Sequence, residues 1–194
     1  MPKFGEKSLT ELNTCHEYIV KVCEEIVKVF DCSVLCGSRG ASMQMSGFRK
    51  GRTKLPYPLS KHNPFLDEEG WLRLAHTLSC GSKKKDIIQA VKQADEEILC
   101  NIDAVMGKDY KSLAVDIVPY PVNWEYWEEM KYCSFYGYKA VEDFARPKAI
   151  FNNACRWHEF AGRMLGVADN MGVKMSWGGH WRNFKDLPHF QISV

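Results

Sequence analysis

The chain has 194 residues, with 26 basic and 24 acidic side chains for a formal charge of +2. That balance does not suggest charge-driven nucleic-acid binding, which needs a concentrated basic stripe. No apolar run approaches the roughly 18 residues required to span a bilayer. A content of 45% hydrophobic and 26% charged residues suits one soluble globular domain over residues 1–194.

The opening residues Met1–Lys7 are polar and lead straight into a helical pattern, without the apolar stretch of an export signal. The eight cysteines (15, 23, 32, 36, 80, 100, 133 and 155) form no Cys-x-x-Cys pair, and several lie on apolar helical faces. Small buried thiols in a cytosol-made protein are expected rather than a disulfide framework.

Taken in order, Ser8-Leu9-Thr10-Glu11 reads as a capping box opening a helix over about residues 8–30. The apolar stripe through Leu12, Ile19, Val22, Cys23, Ile26 and Phe30 supports that helix. Ser33–Cys36 is a short strand ended by Gly37, followed by loop and short helix between Gly40 and Gly51. Pro56, Pro58 and Pro64 impose an extended or looped path. Residues 66–107 carry two helical stripes broken at Cys80-Gly81-Ser82, which predicts a helical hairpin closed by Gly107. Leu113–Val118 is a buried strand, residues 148–172 a long helix, and Val173–Trp177 and His189–Val194 the last strands. This order predicts an α+β fold, with helices packed on a small antiparallel sheet.

Three of the six histidines, His16, His76 and His158, sit within helical patterns where packing accounts for them. His62, His180 and His189 lie beside strand ends and turns, where a site is more readily built. Asp116 interrupts an apolar strand, and a carboxylate there must be paired or coordinated. Asp186 precedes His189 by three residues on a segment stiffened by Pro188. Two histidines and one aspartate would leave an open position on tetrahedral zinc, which is the catalytic pattern.

At these residues the chain resembles the zinc D-alanyl-D-alanine carboxypeptidase and L-alanyl-D-glutamate peptidase family, which includes VanY-like enzymes and phage endolysins. The family's Ser-x-His-x-x-Gly-x-Ala-x-Asp motif is split into Ser60-Lys61-His62 and Ala114-Val115-Asp116. Its closing motif appears as Asp186-Leu187-Pro188-His189, preceded by Trp177-Gly178-Gly179, and Gly37-Ser38-Arg39 with Gln44 also matches. The resemblance implies a Hedgehog/DD-peptidase-like fold in which His62, Asp116 and His189 hold Zn2+ and Asp186 is the catalytic base. Arg39 would bind substrate or steady the oxyanion, Ser60 and Gln44 would support the ligands or contact substrate, and His180 would be a substrate contact or a simple turn residue rather than an alternative ligand.

The chain departs from that pattern between His62 and Asp116, where a helical insertion at about 64–110 splits the metal motif. Ser112 stands where the motif has glycine. The implied activity is hydrolysis of peptidoglycan stem peptides, foremost as an endolysin-type L-alanyl-D-glutamate endopeptidase. The alternatives are a D-alanyl-D-alanine carboxypeptidase or dipeptidase and, in another class, an inactive wall-peptide-binding protein. A monomer made in the cytoplasm is expected, reaching the cell wall through a holin or lysis.

Overall fold

The computed structural model describes residues 2–107, 109–121, 147–182 and 185–194, with the side chains of 147–154 excluded. The chain divides into two compact units. The first comprises Met1–Asn13, Glu17–Cys36 and Val115–Val194, and the second Thr14–His16 and Gly37–Ala114. The insertion expected at about 64–110 lies wholly within the second.

In the first unit, α1 spans Glu6–Leu12 and α2 spans Glu17–Val29. The single helix expected over 8–30 is therefore two. The break falls at Thr14–His16, where Ser112 N donates to Thr14 O at 3.0 Å and His16 N donates to Ser112 O at 2.8 Å. A backbone committed to that bridge cannot also complete helical hydrogen bonds. The capping box is likewise corrected. Gly5 is the N-cap of α1, while Ser8 lies buried inside the helix and its Oγ accepts from Val34 N at 3.1 Å. The hydroxyl links α1 to β1 (Cys32–Cys36) instead of ending a helix.

The sheet has four strands in the order β1-β2-β4-β3, with β2 at Ala114–Pro119, β3 at Met175–Trp177 and β4 at His189–Ile192. β1 pairs antiparallel with β2, and β3 with β4. Between β2 and β4, Ile117 N donates to Pro188 O at 2.9 Å. The long helix α7 (Pro147–Asn170) packs on α2 and β3. Its buried Trp157, Phe160, Met164 and Ala168 belong to the core of this unit, where Phe160 meets Phe190 edge-on at 5.9 Å. The fold is the α+β arrangement expected from the sequence. The parts of that expectation resting on the Ile150 and Ala154 side chains, and on Cys133, lie outside the described residues.

The second unit holds α3 (Ala41–Arg49), α4 (Glu68–Thr77), α5 (Lys84–Gln93) and α6 (Glu96–Met106). The stretch expected as a hairpin thus contains three helices. Ala94 is extended, and Asp95 starts α6 anew by accepting from Ile98 N at 2.9 Å. A core of Met45, Tyr57, Leu74, Ile87, Val91, Leu99, Ile102 and Met106 holds these helices together. Asp103 of α6 caps α3, accepting from Ala41 N and from Ser42 N. A Cβ on Gly40 would collide with that carboxylate, so glycine is needed there. Among the described residues no disulfide links two cysteines, and no helix is long and apolar enough to cross a membrane.

Candidate metal centre

In the first unit, Asp116 lies in the middle of β2 and His189 begins β4. His189 Nδ1 stands 3.4 Å from Asp116 Oδ1, and their side chains are 8% and 14% exposed. On the other side of the ring, His189 Nε2 is 3.1 Å from Gln191 Oε1. An amide oxygen only accepts, so Nε2 is the donor of this contact and Nδ1 is the nitrogen turned to Asp116. A ring nitrogen and a carboxylate oxygen facing each other at this distance call for a cation or a ring proton between them. Two donors about 2.0–2.2 Å from one tetrahedral zinc stand roughly 3.3–3.5 Å apart, so the observed spacing fits zinc.

Asp186 and His189 are held on one turn. His189 N donates to Asp186 O at 3.2 Å, and Asp186 N donates to Gly178 O at 3.2 Å. Trp177 Nε1 adds a bond to Leu187 O at 2.7 Å. A Cβ on Gly178 would meet the Asp186 carbonyl oxygen, so the glycine lets the two segments approach. His180 ends the short 3-10 turn Gly178–His180, exposed, with its ring 5.0 Å from that of Trp177.

In the second unit, His62 is buried and its Nδ1 lies 2.8 Å from Gly37 O. A carbonyl also only accepts, so Nδ1 is the donor of this contact and Nε2 is the nitrogen that would ligate a metal. This arrangement, in which a backbone group fixes the tautomer, is usual for metal-binding histidines. Around it, Arg39 N donates to His62 O at 2.7 Å, and Asn63 Nδ2 donates to Arg39 O at 2.8 Å. Ser60 N donates to Asn63 Oδ1 at 3.0 Å, and His62 N donates to Ser60 Oγ at 3.3 Å. Gln44 is buried in α3, where its Nε2 donates to Leu55 O at 2.6 Å.

The ends of the insertion meet within this unit. Leu113 N donates to Lys61 O at 3.1 Å and Phe65 N to Lys111 O at 2.9 Å. Ser112, fully buried, donates from Oγ to Ala114 O at 2.6 Å, with Lys61 O beside the hydroxyl at 3.1 Å. The residue before His62 is therefore bonded to the strand entry that leads to Asp116. Glycine could not supply the hydroxyl, and Ser112 uses it to close the split motif. Two further residues escaped sequence reasoning. Gln191 orients His189, and its signal was the two-residue step along a strand, which puts both side chains on one face. Asn63 braces Arg39 and Ser60, and only its position next to His62 marked it.

Comparisons with known proteins bear on the family resemblance and the fold. Residues 110–192 match the family model described as D-alanyl-D-alanine carboxypeptidase. The crystal structure of the Serratia marcescens L-Ala D-Glu endopeptidase ChiX is similar in fold, with a TM-score of 0.50 at 17% identity. The alignment covers 98% of this chain and 90% of that one. No curated protein matches the chain by sequence.

Proposed function

Residues 110–192 match the model of the D-alanyl-D-alanine carboxypeptidase family, and from this similarity we propose that the chain hydrolyses peptide bonds in peptidoglycan stem peptides. The observation that carries the proposal is the Asp116–His189 pair, spaced as a metal-binding pair should be. His62, with its tautomer set by Gly37 O, is the proposed third ligand. Bound there, zinc would supply a lower pKa for its water and polarisation of the scissile carbonyl.

The chain's own residues account for the remaining steps. Asp186, on the turn that also positions His189, takes the proton from the attacking water and passes it to the leaving amine. Arg39 presents a guanidinium suited to a stem-peptide carboxylate or to the developing oxyanion. His180 and Ser60 are each proposed substrate contacts, and Gln44, buried with its amide on Leu55 O, is a supporting residue of the second unit.

The favoured bond is L-alanyl-D-glutamate, supported by the similarity in fold to an endopeptidase of that specificity. The description of the matched family supports a second reading, a D-alanyl-D-alanine carboxypeptidase. For a phage-encoded endolysin, we propose synthesis in the host cytoplasm and access to the wall through a holin or lysis. Purified peptidoglycan incubated with the protein, with and without a chelator, tests these proposals. New L-alanine carboxyl and D-glutamate amino ends that disappear with chelator are expected. Released D-alanine would favour the carboxypeptidase, and no turnover by zinc-loaded protein would leave only a wall-peptide-binding role.

A further inference from the structure

Cys36 closes β1 directly opposite Asp116, and the irregular pairing of the two strands puts it there. The register runs evenly from Cys32↔Pro119 through Ser33↔Val118 to Val34↔Ile117, and then shifts so that Cys36 faces Asp116. Without the shift Leu35 would be the partner of Asp116; with it, Leu35 is 38% exposed and Cys36 is half-buried. Bulges of this kind commonly re-aim a side chain beside a functional site. Cys36 Sγ lies within 4.8 Å of an Asp116 carboxylate oxygen. Asp116 in turn faces His189 Nδ1. Asp116 therefore neighbours both a sulfur donor and a nitrogen donor, and all three residues belong to the first unit.

We propose that Cys36 is a further ligand of the metal held by Asp116 and His189, an inference that rests on the metal-dependent reading above. Thiolate, carboxylate and imidazole are all good zinc donors. On coordination the S–H bond breaks, an S–metal bond forms and the proton leaves to solvent. Catalytic zinc sites keep one position open, and a sulfur donor competes with water for it. Cys36 would then set how much of the metal is available for hydrolysis.

Cobalt(II) titrated into the full metal-free chain under reducing conditions tests the assignment by absorbance. A near-ultraviolet sulfur-to-cobalt charge-transfer band is expected at one cobalt per chain. Cys36→Ser should abolish that band while keeping the visible cobalt bands. The substitution should also weaken zinc in chelator competition by at least about tenfold, the low end of what even an outer-shell partner costs. One bound cobalt without a sulfur band, or a band that survives Cys36→Ser, overturns the role of Cys36 and leaves the metal reading standing. No cobalt binding by the wild-type chain overturns both.

Discussion

Trp177 Nε1 donates to Leu187 O at 2.7 Å, so the end of β3 is bonded to the residue two before His189. Trp177 is 1% exposed and its ring stacks on Phe190 at 6.3 Å. One indole therefore serves the core with its face and the metal-bearing turn with its edge.

Trp177→Phe should keep most of the packing and remove the donor, leaving the Leu187 carbonyl buried without its indole partner. A loss of about 1–3 kcal/mol is expected, the usual cost of such a group. Denaturant unfolding measures it, and unchanged stability would mean that the carbonyl had found another partner.

Gly178→Ala should lower both stability and activity. The added methyl meets the Asp186 carbonyl oxygen and comes within 3.0 Å of its Cβ. Moving a proton-transfer group by around 1 Å can cost on the order of 10²-fold in rate. Assays with zinc content measured in parallel should show reduced turnover at near-normal metal loading.

His189→Ala and Asp186→Asn should separate ligand from base. The first removes the nitrogen facing Asp116 and should release the metal. The second should retain zinc and lower turnover by about 10²–10⁴-fold, the range for general acid–base groups. Metal analysis of both purified variants decides it, and an Asp186→Asn variant empty of zinc would contradict the assignment.

Asp103→Ala should destabilise the second unit by roughly 1 kcal/mol, the typical cost of a lost N-terminal cap. Asp103 accepts from two amides of α3 while belonging to α6, so its loss loosens both helices. Thermal unfolding of the full chain, with Asp103→Asn as the milder change, should show the graded effect.

Burial raises the Cys32 thiol from its ordinary value of 9.0 to about 12, with nearby Asp31 adding to the shift. The folded state thus retains a proton that the unfolded chain gives up first. This stability contribution is complete below about pH 9 and is lost as pH rises towards 12. Alkylation followed by peptide mapping at pH 8 should find Cys32 unmodified in the native protein, while exposed Cys100 reacts.

Much of the architecture was legible because hydrophobic period survives in the sequence. The apolar run of β2 and the stripe of α2 each imply one buried face, and each forms where expected. The helix break at Thr14–His16 was not legible, because its cause is Ser112, far along the chain. Ser8 misled for the same reason, since its hydroxyl is claimed by Val34 rather than by its own helix. The third helix of the insertion was partly signalled by Asp95, which caps α6.

The site divides along the same line. Sequence alone identified Asp116, Asp186, His62 and His189 as candidates, because residue type and local motif survive without coordinates. Tertiary structure decided which ring nitrogen of each histidine faces a hydrogen-bond acceptor and that Asp116 and His189 stand 3.4 Å apart. It also showed that the two ends of the insertion are hydrogen-bonded through Lys61 and Leu113. The physical reason is that donors and acceptors are paired by proximity in space. A strand bulge or a buried serine can bring together groups whose separation in sequence carries no trace of it.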